Sequence, residues 1–354
     1  MKALVLAGGK GTRLRPLTYT TAKQLIPVGN KPILCYVINH ILKAGIENIG
    51  IIVSPDTGEQ IKDAVDIHFP TVDISYICQD NPLGLAHAVK VAQQYISEDP
   101  FIMYLGDNLI GQGIENFVKS FKNSNADAIV LLKRVKDPSM FGVAEVDSKN
   151  QIIKLIEKPQ NPVSDLALVG VYAFSPAIYQ SIDQIKPSQR GELEITDAIQ
   201  NLLENGHLVE SIVLENWWLD TGKKDDLLEA NRVVLDDWTH HIMKGTIDET
   251  SKIVGRVSVE NGAVIQNSIL RGPLSIGCRA IIEDSIIGPY SSIGENCLIK
   301  KSKLEHCVLM DNVHIENVET LKDSVVGRGA KIHCVNNDIQ TFKFMIGDDA
   351  EVFL

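Results

Sequence analysis

Between residues 264 and 332 aliphatic side chains recur every six positions. Val264, Leu270, Ile276 and Ile282 form one run, and Ile281, Ile287, Ile293 and Ile299 form a second, slipped by one. The pattern resumes at Leu309, Ile315 and Leu321, and again at Val326 and Ile332. Glycine directly follows the aliphatic residue in Ile276-Gly277, Ile287-Gly288 and Ile293-Gly294. Neither the 3.6-residue helical period nor the two-residue alternation of a sandwich strand produces such spacing. A β-solenoid of hexapeptide rungs does, because each rung turns one aliphatic residue into a shared core. The pattern predicts a β-helix domain over 247–354. Helix-like periodicity is lost after about Thr246, and residues 236–246 read as a linker.

The rest of the chain, residues 1–240, reads as one α/β domain. Ala3–Leu6 is a short apolar strand. Pro32–Lys43 carries Ile33, Leu34, Val37, Ile38, Ile41 and Leu42 at helical spacing, with Gly45 as a stop. Strands follow at 48–53 and 74–78, a helix at 85–95, and an apolar strand at 101–105 that ends in Gly106-Asp107-Asn108. This alternation predicts a mixed, mostly parallel, Rossmann-like sheet with helices on both faces.

Composition narrows the partners. A net charge of −11 excludes broad nucleic-acid binding, which needs a basic face, but leaves room for a small anionic substrate held by a few Lys and Arg. The six cysteines are scattered without a CxxC pair, which points to free thiols in a reducing compartment. No run approaches a membrane span. The expected location is the cytoplasm, with no membrane partner.

The stretch LAGGKGTRL, residues 6–14, leaves the first strand at its carboxyl end, where open parallel sheets bind ligands. Gly8, Gly9 and Gly11 match neither GxGxxG nor GxxxxGK[ST]. Exposed amides on such a loop still form an anion nest, and Arg13 adds a fixed charge with bidentate geometry. A plain tight turn with a surface Arg is the alternative. Further on, Asp107 and Asp220 each follow an apolar stretch. Two carboxylates beside a phosphate suit Mg²⁺, although either Asp alone could be a turn residue. Lys158, in Glu157-Lys158-Pro159, offers a second phosphate ligand or a solvated charge.

Together these stretches resemble the sugar-phosphate nucleotidyltransferases and, more narrowly, the glucose-1-phosphate thymidylyltransferases. The matching segments are LAGGKGTRLRPLT (6–18), AKQLIPV (22–28), QDNPLGLAHA (79–88), LGDN (105–108), FGVAEVD (141–147), EKP (157–159), VGVYAF (169–174), RGELEITD (190–197) and WLDTG (218–222). The solenoid tail matches the longer branch of that family, which carries a left-handed β-helix.

The resemblance implies transfer of a thymidylyl group from dTTP to glucose 1-phosphate, with Mg²⁺ as cofactor. It implies a nucleotide site of Leu6, Gly8, Gly9, Gly11, Thr12, Arg13, Gln24, Gln79, Pro82, Gly84, Leu85 and Asp107. Gln79 and Gly84 would read the pyrimidine edge. Arg13 would face the departing pyrophosphate, Lys23 would also touch phosphate, and Asp107 and Asp220 would hold the metal. Asn108, Gly142, Glu157, Val169 and Tyr172 would line the sugar, with Lys158 and Arg190 on its phosphate. Glu192 and Glu194 would support that loop. His87 stands where Gln is commoner in the family and Ala22 where Ser is; His87 reads as a packing or capping residue. The rival readings are another nucleotidyl donor such as UTP, a non-catalytic regulatory homologue, and an added acyltransferase using His306, His314 or His333. The solenoid faces predict a homo-oligomer.

Overall fold

The computed structural model of the chain describes residues 1–334 and 341–354. Contacts divide it into two compact units. One comprises Met1–Gly9 with Leu34–Asp220, and the other Lys10–Ile33 with Thr221–Leu354. The chain therefore leaves the first unit inside the glycine loop, returns to it at Leu34, and leaves it again directly after Asp220.

The first unit is built on a sheet that, among the described residues, has nine strands. Lys2–Leu6 lies between Phe101–Leu105 and Ile49–Val53, parallel to both, and Ile74–Cys78 continues beyond Ile49–Val53. The three inner strands are buried on both faces and read accordingly as apolar runs, whereas the outer Ile74–Cys78 is only partly buried. The other half is antiparallel about Leu166–Phe174, which pairs with Phe101–Leu105, Ala128–Arg134 and Gly142–Val146. The helix Ile33–Lys43 buries Leu34, Val37, Ile38 and Ile41, the residues its spacing marks as inward. Gly45, with φ 74°, ends it. The expected helix over 85–95 is two pieces, Leu85–Val91 and Gln93–Ile96, joined at Ala92.

In the second unit, parallel strands stack coil on coil. Val264 pairs with Ile281 and Ile281 with Leu298, a repeat of 17 residues, and the next step, Leu298 to His314, is 16. Three short strands per coil cannot fit six residues each into 17, so one side of each 17-residue coil takes five, and two sides of the 16-residue coil do. That shortened side is the slip between the two ladders. It also corrects the inward set: Val264 and Ile281 are half-buried, while Ile265 and Ile282 are fully buried with Leu270, Ile276, Ile287, Ile293 and Ile299. Leu309, Ile315, Leu321, Val326 and Ile332 point inward as the spacing predicts. The architecture is a parallel β-helix.

Corners repeat as well. Asn267, Asp284, Lys301 and Asn317 share the left-handed backbone conformation at one corner. Beside them, Ser285 N–H donates to Ser268 Oγ at 3.0 Å and Ser302 N–H to Ser285 Oγ at 3.1 Å, satisfying amides that the turn removes from the ladder. The β-helix begins earlier than expected. Asp236 to Trp238 finish the helix Lys224–Trp238, and Ile242–Met243 already pairs with Val257–Val259.

The segment Lys10–Ile33 belongs to this unit through specific bonds. Asn231, fully buried on the helix Lys224–Trp238, accepts from Gly29 N–H at 2.8 Å and Ser292 Oγ at 2.7 Å, and donates to Tyr290 O at 3.0 Å. Asn30 Nδ2 donates to Ser275 Oγ at 3.0 Å and Ile293 O at 2.7 Å. Thr20 Oγ1 donates to Asp348 at 2.6 Å.

Candidate active site

In the first unit the parallel strands all end at one edge. Gly106 N–H donates to Leu6 O, Ala7 N–H to Ile52 O and Gln79 N–H to Val53 O, each at 2.8–2.9 Å. Strand order reverses at Lys2–Leu6, whose neighbours Ile49–Val53 and Phe101–Leu105 lie on opposite sides. The loops after Leu6 and Leu105 therefore open the crevice typical of a topological switch point. Asp107 leaves that edge. The short strand Asn108–Ile110 then pairs with Trp218–Asp220, with Asp220 opposite Asn108. The two predicted metal carboxylates, 113 positions apart in sequence, thus stand one register step from each other.

Beside them, Gly8 faces Gln79. A Cβ on Gly8 would lie 3.5 Å from Gln79 Oε1, an ordinary contact, so the protein's own packing does not require glycine there. Gly84 is different. Its φ is 105°, and a Cβ would come within 2.7 Å of the Leu193 backbone nitrogen. Gly84 opens the helix Leu85–Val91, with Leu85 half-buried behind it and Pro82 exposed before it. Gln79 is 8% exposed, and its Nε2 donates to Gly84 O at 3.3 Å and to His87 Nδ1 at 2.9 Å. Burial and the neighbouring Lys90 push the His87 imidazole below its ordinary pKa, which favours the neutral ring that this contact needs. The sequence marked His87 only as packing or capping. The signal available was a polar strand end followed eight residues later by a polar residue in the next helix.

A third group gathers around Glu157. The strand Leu166–Phe174 shifts register between Leu168 and Tyr172, and Gly170 there has φ 87°. The bulge turns Val169 O toward Asn108 Nδ2, which donates to it, and a Cβ on Gly170 would collide with that same Asn108 nitrogen. Gly142 pairs with Glu157, and a Cβ on it would stand 3.2 Å from Glu157 Oε2. Glu157 Oε1 meets Lys158 Nζ at 3.5 Å and Arg190 Nη1 at 3.4 Å, while Thr196 Oγ1 donates to Oε2 at 3.3 Å. Arg190 also pairs with Glu192 at 2.6 Å and Glu194 at 3.7 Å. Burial raises the Glu194 carboxyl above its ordinary value although Ser188 donates to it. Lys158 sits in the left-handed region with φ 41°, immediately before Pro159, its side chain half in solvent. Tyr172 departs from the expectation. It is 3% exposed, stacked on Phe174 at 5.8 Å within the core, and burial drives its phenol pKa up. Both faces of the strand Leu166–Phe174 are covered, so neither parity of its side chains reaches the surface.

The remaining predicted residues, Gly9 apart, lie in the second unit. Gly11 needs its φ of 59°, and a Cβ there would press at 3.0 Å on Lys23 Cβ and Thr18 Cγ2. Thr18 Oγ1 donates to Gly11 O at 2.7 Å. Thr12 and Arg13 are exposed on the single turn Thr12–Leu14, and the Arg13 guanidinium lies against Gly222, where a Cβ would sit 3.1 Å from Nη2. Lys23 is buried to 7% exposure. Gln24 is buried beside it, and its Oε1 has no hydrogen-bond partner among the described residues. Gly9 is exposed, the last residue of the first unit.

The solenoid histidines do not gather. His306 is held on both nitrogens, by Asp323 at 2.7 Å and Leu228 O at 3.3 Å, and so cannot act as a free base. His333 stacks on Phe353 and faces Glu316 at 3.7 Å, and His314 lies apart on the strand His314–Glu316. Among the described residues no group of three or more His, Cys, Asp or Glu side chains could hold a metal by itself. Nor is any helix there long and apolar enough to cross a membrane.

Comparison with known proteins identifies the family. The Nucleotidyl transferase family profile matches residues 2–237. A glucose-1-phosphate thymidylyltransferase of Streptomyces antibioticus is 47% identical over 99% of both chains, and one of Streptomyces griseus is 45% identical over 98% of both. A Bacillus anthracis structure described as a glucose-1-phosphate thymidylyltransferase in complex with a sucrose superposes with a TM-score of 0.61. It is 35% identical and covers 66% of this chain and 94% of its own. With a family profile over two thirds of its length and such identity over nearly all of it, the chain belongs to the nucleotidyl transferase family.

Proposed function

We propose that the chain is a glucose-1-phosphate thymidylyltransferase, joining dTTP and glucose 1-phosphate into dTDP-glucose with release of pyrophosphate. The observation that carries this reading is the edge where a buried Gln79, a glycine its own neighbours do not demand at position 8, and two adjacent carboxylates end up side by side.

A phosphate oxygen of the sugar phosphate attacks the α-phosphorus in line, and pyrophosphate leaves opposite. The attacking phosphate is already ionised at neutral pH, so the chain need not supply a strong base. Its task is to bring two anions together and hold them in line. Lys158 and Arg190 are already gathered on Glu157, ready to exchange that carboxylate for a sugar phosphate. Glu157 is then released to accept from sugar hydroxyls beside Gly142 and Val169. Arg13, with Gly11, Thr12 and Lys23, neutralises the triphosphate, which grows more negative on the pyrophosphate as the bond breaks. Leu85 packs beside the base and Gln79 accepts from its edge.

Asp107 and Asp220 would hold Mg²⁺. A pair of carboxylates with no third protein ligand among the described residues suits a cation that completes its shell with substrate phosphates and water. The ion would supply charge neutralisation at the α-phosphate.

Pyrophosphate release with glucose 1-phosphate and Mg²⁺, measured for dTTP, UTP, dCTP, ATP and GTP side by side, tests the reading. The thymine methyl is worth only about 1–3 kcal/mol, so UTP is expected as a weaker substrate. Release with none of the five refutes the assignment.

A further inference from the structure

We propose that His87 is a positioning residue for base selection: its Nδ1 holds the Gln79 side-chain amide with the nitrogen turned inward, so that a nucleotide base meets the carbonyl oxygen. The inference rests on the reading that Gln79 faces the base.

Gln79 can stand in two orientations that differ by exchange of oxygen and nitrogen. Two acceptors decide between them. Gly84 O lies 3.3 Å from the side-chain nitrogen, and His87 Nδ1 lies 2.9 Å from it. Each takes one of the two amide hydrogens, so both donors are consumed inside the protein. In the exchanged orientation the Gln79 oxygen would face the Gly84 carbonyl, a repulsive contact that no tautomer of His87 relieves, in a site where Gln79 is 8% exposed; the inward nitrogen instead meets Gly84 O and the lone pair of the Nε2-protonated ring together. Neither acceptor can retreat. Gly84 is pinned between its φ of 105° and the Leu193 backbone, whose amide donates to Leu83 O at 2.7 Å. His87 is fixed to the first turns of the helix Leu85–Val91, two residues after Leu85. A neutral imidazole bearing its proton on Nε2 presents the lone pair required, and burial together with Lys90 favours the neutral ring.

The consequence is chemical. Gln79 Oε1 stays on the side of Gly8 and takes no protein donor among the described residues. An acceptor at that place pairs with the N3–H of thymine or uracil. It opposes cytosine, whose N3 is itself an acceptor. Base selection is thus set one residue behind the one that touches the base. The shorter of the two restraints comes from His87, so its loss frees the amide to turn.

The test measures kcat and KM for dTTP, UTP and dCTP in the full-length enzyme and in His87→Leu, His87→Gln and Gln79→Ala. His87→Leu removes the acceptor while keeping bulk. It is expected to raise the KM for dTTP about tenfold, the worth of one buried hydrogen bond, with kcat nearly unchanged, and to narrow the preference for dTTP over dCTP. His87→Gln supplies a carbonyl acceptor in the same place and is expected to restore both. His87→Ala, which adds no apolar branch, makes the same comparison if the leucine variant does not fold. Wild-type KM and selectivity in His87→Leu, with both lost in Gln79→Ala, overturns the role of His87 while Gln79 keeps its own. Wild-type selectivity in Gln79→Ala overturns the reading of Gln79, and the proposal with it.

Discussion

Replacing Asn231 with leucine tests how firmly the β-helix unit holds the segment 10–33. Asn231 is fully buried and makes three hydrogen bonds, to Gly29 N–H, Ser292 Oγ and Tyr290 O. Leucine fills a similar volume and satisfies none of them. At about 1–1.5 kcal/mol for each lost bond the change costs about 3–4 kcal/mol, a large part of the 5–15 kcal/mol that ordinarily separates folded from unfolded chains. With a urea slope of about 3 kcal/mol per molar, the unfolding midpoint falls by about 1 M. Gly29 lies in the segment that also carries Arg13 and Lys23, so hydrogen exchange at the Gly29 amide should accelerate and turnover should fall. Asn231→Asp provides the internal control. A carboxylate keeps the acceptor for Gly29 and Ser292 but turns an oxygen onto Tyr290 O, whereas a protonated carboxyl can donate there. Burial raises the pKa of the new group, so that variant gains stability as pH falls and loses it as pH rises through that value. An unchanged midpoint and unchanged Gly29 exchange in Asn231→Leu refute the reasoning.

Gly84→Ala should abolish dTTP binding or folding, because its Cβ has no room beside Leu193; an alanine enzyme with normal KM, read by steady-state kinetics, contradicts the fixed turn. Asp107→Asn should cut turnover by orders of magnitude with the circular dichroism spectrum preserved, and a normal rate rejects Asp107 as a metal ligand. Lys158→Ala should raise the KM for glucose 1-phosphate and leave that for dTTP nearly constant, and the reverse pattern contradicts its place on the sugar phosphate. A hydrogen bond from His306 holds the Asp323 carboxyl below its ordinary value of 3.8, so its stabilising effect is complete above that pH and fades as pH drops through the depressed pKa. The stability gap between the wild type and Asp323→Asn, followed by denaturation at several pH values, should therefore narrow in acid.

The parts of the molecule that repeat or alternate were legible in the sequence. The β-helix declared itself because every coil buries the same kind of residue at the same place, and Leu309, Ile315, Leu321, Val326 and Ile332 all point inward. The strand ends that carry Gly8, Gln79 and Asp107 were legible because apolar runs stop abruptly at polar residues. What escaped depends on partners distant along the chain. A one-residue shortening of one side of each coil moved the inward position from Val264 to Ile265, since in a strand one step exchanges the two faces. Tyr172 is expected at the sugar because its segment matches a family motif, but the strand Leu166–Phe174 is buried along its whole length and Tyr172 stacks on Phe174 within it. The bond from Gln79 to His87 was hidden because neither residue advertises the other. The attachment of residues 10–33 to coils two hundred positions away has no local signature at all, as only folding brings Asn231 to Gly29.

The three chain crossings, after Gly9, Ile33 and Asp220, have a consequence for how such a protein can be inherited and rebuilt. A gene cut near codon 240 separates what looks like an enzyme from what looks like an accessory tail. Yet the Asn231 that grips Gly29 stays on one side of that cut, and the Tyr290 and Ser292 that steady Asn231 go to the other. Recombination that exchanges the tail must therefore exchange, or re-match, the stretch that encodes residues 10–33 as well. Chimaeras that carry both pieces from one parent should be soluble and active more often than those joined at the apparent boundary, and natural mosaics of this architecture are expected to show paired breakpoints.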